Sequence, residues 1–574
     1  MSREGDAAPG GSERTPVSAS LAGLSFRRDR VLGVVVALAF AGLLVRLVGL
    51  GARPFHWDEA RVGYWTLRYL DTGAYQYRPI AGGPLLPLVG RTLFALVGVS
   101  EWVARLPIAV LGAALPLVAL LFRDRLDDAE TVLFAALLAF QPLVLYYSRF
   151  LRGDVPLALF GFAFVGFALR AWDRDSRRDA YAAAVALSLA ASASGFVAGY
   201  LCCWLAVWVL VVEQHSVAAD GGASARAAAA ALRARLAGTT TAAARAALLF
   251  IGTTVFLFAP RAGPGVDVGL YDPTEFHLAI YEGTVGALWR FVGVRVVNRY
   301  PDGTHSLLPY LGDAAGTLTA VALPVVAVGV GTTLWVRYAS ARRPLIEGVG
   351  YWGLLAVILF PTIAEVSAPW TLVHVVVPLS LPAAVGFAAF LRRGAAAASG
   401  PDVDAGTVVA VALVVLAVVA QVGAVTAGSV YGSSDRDNRL AQFAQPSGDL
   451  EPIEAAARAA ADGDSSTAEV LYVGAAYHVP PDRTTRFPPV GDAWGNRLPL
   501  TWYVEAAGAD ATSTANASTF DSAYANASAP PVVIAAPTHH TELAERLGSD
   551  YEATTYRLGL WNREVVVFTA PEKR

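Results

Sequence analysis

The run VLGVVVALAFAGLLVRLVGL (residues 31–50), followed at once by GARPFHWDEA (residues 51–60), decides the fold. An apolar run of this length, at about 1.5 Å per residue, matches the roughly 30 Å hydrocarbon core of a bilayer. The stretch Phe55-His56-Trp57-Asp58-Glu59-Ala60 then sets two adjacent carboxylates at the mouth of that span. Carboxylates there are expensive to desolvate, so they need water, partners or a chemical task.

Working outward, composition gives the class. The chain is 55% hydrophobic and only 16% charged, with a mean hydropathy of +0.47. Ordinary soluble chains are roughly 45–50% apolar and 25% charged. The excess sits in runs of about 17–22 residues, the signature of a polytopic α-helical membrane protein rather than of a barrel. Residues 1–22 are polar and the first apolar run is long, so no cleavable signal peptide is expected. Cys202 and Cys203 are adjacent inside an apolar segment and read as small apolar fillers, which excludes a disulfide framework. Lys573 is the only lysine, and from Gly428 onward 11 basic residues face 19 acidic ones. An acidic domain almost without lysine fits a GC-rich, salt-adapted source.

Further spans are expected at 103–122, 131–148, 155–172, 181–194, 197–212, 246–260, 316–336, 348–363, 371–391 and 407–427. That makes about eleven if 181–212 holds two helices rather than one long tilted one. Arginine placement favours two. Arg27, Arg28, Arg30; Arg123, Arg125; Arg170, Arg174, Arg177, Arg178; Arg226, Arg233, Arg235; Arg337, Arg342, Arg343; and Arg392, Arg393 then all fall on one side. The positive-inside rule makes that side cytoplasmic. The expected organisation is a cytoplasmic N-terminus (1–30), a transmembrane domain (31–427) with outer loops at 51–101 and 261–315, and an extracytoplasmic domain (428–574). Strand-like runs at 469–473, 531–535 and 564–569, alternating with helical stretches at 450–461 and 540–547, read as a small α/β fold. Asn516 and Asn526 open N-glycosylation sequons that suit an exterior position.

Three places carry chemistry. Residues 59–70 pattern as a short helix in the membrane interface, aromatic face down, with Asp58 and Glu59 at its N-terminus. The pair is either a helix cap in a solvated loop or an acid/base or metal site. Next, Tyr146-Tyr147-Ser148-Arg149-Phe150-Leu151-Arg152-Gly153-Asp154 packs two arginines and an aspartate into one outer turn. They form either an internal ion pair or a fork of donors for an anion such as phosphate. Third, Glu365 stands with Trp370 at another outer helix end. His56 has ligand-like chemistry, but with Asp58 alone it does not make a metal site. No cofactor is required, and whether a divalent cation takes part stays open. His374 lies within a span and reads equally as a hydrogen-bonded interior histidine. Asp267, Asp272, Glu275, His277, Asp302 and His305 are scattered through the second long loop, beside an amphipathic stretch at 288–297 with Trp289, Arg290 and Arg295.

The order of these features resembles a known family. An Asp-Glu outer loop with an interfacial helix precedes Glu101-Trp102-Val103-Ala104-Arg105-Leu106-Pro107, and Tyr147-Ser148-Arg149 to Asp154 follows. This resembles the GT-C membrane glycosyltransferases related to protein O-mannosyltransferases (family 39-like). The stretch Glu365 to Trp370 and Pro499-Leu500-Thr501-Trp502-Tyr503 look, more narrowly, like an archaeal group of flippase-activity-associated proteins linked to N-glycosylation. The resemblance implies an enzyme that uses a polyprenyl (dolichyl)-phosphate sugar on the outer face of the cytoplasmic membrane, with a glycan or protein acceptor and no nucleic-acid partner. By position it makes Asp58 the catalytic carboxylate with Glu59 beside it, and Arg149 or Arg152 the holder of the donor phosphate. Asp154, His56 and Glu365 would support them. Relatives often carry a lysine late in the span at 181–194, where this chain reads Ala190-Ala191-Ser192-Ala193-Ser194. That departure leaves either a weakened site or an arginine in the lysine's role. The competing expectation is a non-catalytic flippase-associated or transport protein, although no internal repeat with matching broken helices is visible. A receptor with a partner-binding outer domain is a third.

Overall fold

A computed structural model describes residues 17–218, 230, 240–297, 306–338, 343–364, 366–399, 403–432, 437–441, 444–463, 468–479, 493–518, 529–559 and 563–570. Among them, eight helices are long and apolar enough to cross a membrane: Arg30–Leu47, Glu101–Phe122, Asp154–Arg174, Thr240–Phe258, Leu307–Tyr338, Pro344–Ile363, Pro369–Ser399 and Ala405–Val430. The chain is thus a multi-pass helical membrane protein. The other three expected spans are not among these eight. The one at 131–148 is two pieces, α5 (Asp128–Phe140) and α6 (Pro142–Tyr147). Pro142 has no N–H to continue the ladder and holds Gln141 extended at φ −61°, ψ 123°. The interrupted ladder frees carbonyls, and Arg46 of α1 (Val17–Leu47) donates to Ala139 O at 2.9 Å and Leu138 O at 3.5 Å. The segment 181–212 is indeed two helices, α8 (Arg177–Ala193) and α9 (Val197–Ala218), parted at Ser194-Gly195-Phe196.

On one face of the bundle, α2 (Trp57–Thr72), α3 (Leu85–Val97) and α4 (Glu101–Ala114) meet the C-terminal domain. The aromatic face of α2 was expected to lie on lipid; protein covers it instead. Tyr64 and Trp65 meet Trp494 at ring distances of 5.1 and 6.4 Å. At Gly63 an added Cβ would come within 2.6 Å of the Trp502 ring. An amphipathic pattern reports an apolar neighbour without saying whether that neighbour is lipid or protein.

The C-terminal domain is built on a five-stranded sheet of order β2-β1-β3-β5-β4, with β1 Val470–Val473, β2 Ala511–Thr514, β3 Val532–Ala535, β4 Glu552–Gly559 and β5 Arg563–Thr569. β1 runs parallel to β2 and β3, while β5 is antiparallel to β3 and β4. Strands β1 and β3 are buried throughout and β5 over Val565–Phe568, and all three match the strand-like runs in the sequence. Edge strands β2 and β4 are largely exposed and carry no apolar pattern to announce them. One apolar cluster joins this domain to the helices beside it: Phe55, Val62, Trp65, Phe94 and Val103 pack together with Ile453, Trp502, Ile534 and Val567.

Candidate active site

His56 caps α2: its Nδ1 accepts the Asp58 N–H at 3.1 Å, and its own N–H donates to Glu59 Oε2 at 3.1 Å. The two adjacent carboxylates then diverge. Glu59 is fully buried. Arg105 grips it bidentately, Nε to Oε1 at 2.8 Å and Nη2 to Oε2 at 2.7 Å, and Leu151 N–H adds a third bond at 2.7 Å. Burial pushes this carboxyl up, and Arg105 more than offsets it, so Glu59 stays below the usual carboxylate range. Every lone-pair direction is taken. These bonds tie α2 to α4 and to the turn before α7 (Asp154–Arg174).

Asp58 keeps its side chain 16% exposed. Its Oδ2 accepts from Arg152 Nη1, and Arg61 Nη2 stands 3.5 Å from Oδ1. Burial raises this carboxyl too, but Arg152, then Arg61, His56 and Arg295, pull it below its ordinary value. His56 is pushed down to about 4, chiefly by burial, so it is neutral at pH 7; its Nε2 has no hydrogen-bond partner.

Arg152 continues a line of charge into the bundle. Its Nε donates to Asp154 Oδ2 at 2.9 Å, and its guanidinium lies 4.1 Å from the centre of the Trp370 ring. Asp154 Oδ1 meets His374 Nε2 at 3.3 Å, and His374 Nδ1 meets Tyr200 Oη at 2.9 Å. Phe360 stacks on the imidazole at 4.3 Å. The turn fits closely against α8: a Cβ at Gly153 would lie 1.9 Å from Ala193 O.

Arg149 belongs to none of this. Its Nη1 donates to Val430 O at 3.0 Å and its Nη2 to Val48 O and Gly49 O at 2.7 and 2.9 Å. Its donors satisfy backbone where helices end, a need that membrane-level backbone cannot leave unmet. Arg152 is ion-paired on two sides, with Nη2 as the donor group not engaged by either carboxylate.

Of the other expected residues, Asp154 and His56 join Asp58, and Trp370 arrives by stacking. Glu365 lies outside the described residues, as do Asp302, His305 and Asn526. Asn516 is exposed. Among the described residues no three His, Cys, Asp or Glu side chains stand together to hold a metal. Arg61 and Tyr200 were missed. One is a charge on a polar helix and the other an aromatic in an apolar span, and neither carries a local signal.

Residues 79–236 match the model of dolichyl-phosphate-mannose-protein mannosyltransferase, and residues 450–570 that of the Agl23 flippase-associated protein C-terminal domain. No curated protein sequence matches the chain. Apo ArnT from Cupriavidus metallidurans superposes with a TM-score of 0.56 at 16% identity, over 94% of this chain and 98% of that one. The same protein bound to undecaprenyl phosphate gives 0.56 at 17%, with the same coverage. The oligosaccharyltransferase AglB from Archaeoglobus fulgidus, in complex with an inhibitory peptide and a dolichol-phosphate, gives 0.49 at 13%, over 96% of this chain and 75% of that one. The chain therefore has a fold similar to that of ArnT, with one segment similar to the mannosyltransferase model and a C-terminal segment similar to the Agl23 flippase-associated domain.

Proposed function

We propose that the chain transfers a sugar from a polyprenyl-phosphate donor to an acceptor at the outer membrane face, by a single displacement that inverts the anomeric carbon. The observation that carries this reading is the Asp58–Arg152 pair: an ionised, partly accessible carboxylate touching a buried, doubly paired arginine. In the step, an acceptor hydroxyl attacks the anomeric carbon and gives its proton to Asp58. The bond from that carbon to the phosphate oxygen breaks, and its electron pair leaves with the polyprenyl phosphate. A positioned carboxylate base contributes roughly 10²–10⁴-fold, and a donor aimed at the leaving oxygen about 3–4 kcal/mol.

Arg152 Nη2 is the group that faces this task, with Arg61 and Arg295 adding positive charge around Asp58. Arg295 bears on the missing family lysine. The helical segment 287–297 lies over the end of α8, where a Cβ at Gly195 would meet Phe291 at 2.4 Å. An arginine carried on that segment can stand in for a lysine of α8. The binding of undecaprenyl phosphate by ArnT supports a lipid-linked donor here. The arginine distribution supports a cytoplasmic-membrane location with the N-terminus inside and the C-terminal domain outside. Acceptor contacts would come from the same face.

A purified-protein assay with a polyprenyl-phosphate hexose and candidate lipid-linked glycan or protein acceptors tests this. A glycosylated product is expected, and Asp58→Asn should abolish it while leaving the protein folded and membrane-inserted. Wild-type-like transfer by that variant would sink the mechanism. The second reading, a non-catalytic flippase-associated protein, rests on the match over residues 450–570 and predicts lipid binding with no product.

A further inference from the structure

The loop bearing Asp58 is fastened from the C-terminal domain. Phe55 N–H donates to Tyr503 Oη at 2.9 Å, and that hydroxyl in turn donates to Glu101 Oε1. One phenol thus bridges the loop before α2, the first turn of α4 and the short helix Leu500–Ala506. Around it, Trp57 Nε1 donates to Gly495 O at 2.8 Å and Gln445 Nε2 to Pro54 O at 2.9 Å. The Trp502 ring sits 4.6 Å from that of Phe55. Pro54, Phe55 and Trp57, which lead directly to Asp58, each bond to residues beyond 440.

Phe55 is fully buried and Tyr503 nearly so. A buried N–H that loses its acceptor must find another or move. Movement here is transmitted within three residues to the carboxylate that meets Arg152, where a displacement of about 1 Å can cost on the order of 10²-fold in rate.

We infer that the C-terminal domain is a positioning element of the transfer site, with Tyr503 as the positioning residue that sets Asp58 against Arg152. The inference rests on the sugar-transfer reading for its catalytic consequence but not for its geometry. Tyr503→Phe keeps the ring and removes both hydrogen bonds. The expected result is roughly a ten-fold fall in kcat, the equivalent of one hydrogen bond, with the donor KM changed less than about two-fold. Hydrogen–deuterium exchange should speed up over residues 55–60 and stay unchanged in β1 and β3.

Tyr551→Phe is the control for a merely structural loss. Among the described residues that hydroxyl bonds to Ala529 O and Pro530 O, within the domain; kcat and exchange at 55–60 should both hold. Should Tyr503→Phe fail to fold, Trp57→Phe removes the bond to Gly495 and is expected to act in the same direction. Unchanged exchange at 55–60 overturns the inference, and so does faster exchange with wild-type kcat. If the wild-type protein transfers no sugar at all, the transfer reading falls. The exchange data then still decide whether the C-terminal domain holds the Asp58 loop.

Discussion

Asp58 and Glu59 are neighbours in the chain and end in two regions that behave differently. Around Glu59 everything is sealed: Arg105 closes both oxygens, Leu151 and His56 supply amides, and Arg149 nearby ties down carbonyls from both ends of the membrane domain. Around Asp58 the line from Arg152 through Asp154 to His374 and Tyr200 is equally ordered, but it ends on a carboxylate that still meets solvent. The residue types are the same in both. What separates a clamp from a site is the number of donors the protein itself supplies to each charge. A saturated carboxylate has nothing left for a substrate, whereas one short of partners does.

The comparison breaks first, and hardest, at Asp58. Asp58→Asn should lower transfer by roughly 10²–10⁴-fold with thermal stability in detergent within about 1 kcal/mol of wild type, because the side chain keeps its size and Arg152 keeps Asp154 as a counter-charge. A variant that fails to fold would merge the two regions. Glu59→Gln should do the opposite, destabilising the protein by about 3–5 kcal/mol because buried Arg105 loses its bidentate partner and keeps only Glu101, 3.6 Å away. Denaturant or thermal melts of purified protein measure it, and a loss of activity with full stability would put Glu59 back in the site. Arg149→Ala should cost about 1–3 kcal/mol in stability through its orphaned carbonyls, with turnover per folded molecule retained in a single-turnover assay.

The smallest effect is on pH. Because Arg152 holds Asp58 below the usual aspartate range, the carboxylate stays ionised throughout neutral and mildly acid pH. Its stabilising contribution is present above the unfolded value of about 3.9 and is lost only as pH falls through the lower folded value. His56, already neutral, adds no inflection near pH 6–7. The acid limb of kcat/KM should therefore be absent between pH 5 and 8, on the order of ordinary carboxylate titration. Arg152→Gln should move the limb upward. An unmoved limb in that variant would mean that another group sets it.

Much of this was legible in the chain. The long helices follow from apolar runs, because lipid contact and bundle contact both demand the same residues. The central strands are equally visible, since Val470–Val473 and Val532–Ala535 are buried on both faces. The candidate site was legible only as a set of residue types. Arg149 and Arg152 are alike in sequence, and nothing local tells which will serve backbone carbonyls and which will face Asp58. Arg46 shows the same rule inside a span, where it answers the carbonyls that Pro142 frees. The covering of α2 by Trp494 and Trp502 was hidden for a related reason. Those residues lie more than 400 positions away, and an apolar face does not name its partner.

By itself, then, the order of residues determined a polytopic helical membrane protein with a small α/β domain and a pair of acids at a membrane edge. Periodicity and composition are local quantities, and these features depend on nothing else. The tertiary structure alone decided that Asp58 is the open member of the pair, that Arg152 rather than Arg149 meets it, and that the C-terminal domain grips the loop leading to Asp58. Those outcomes depend on which donors reach which acceptors across hundreds of residues, and hydrogen-bond saturation is a property of the folded neighbourhood rather than of any segment.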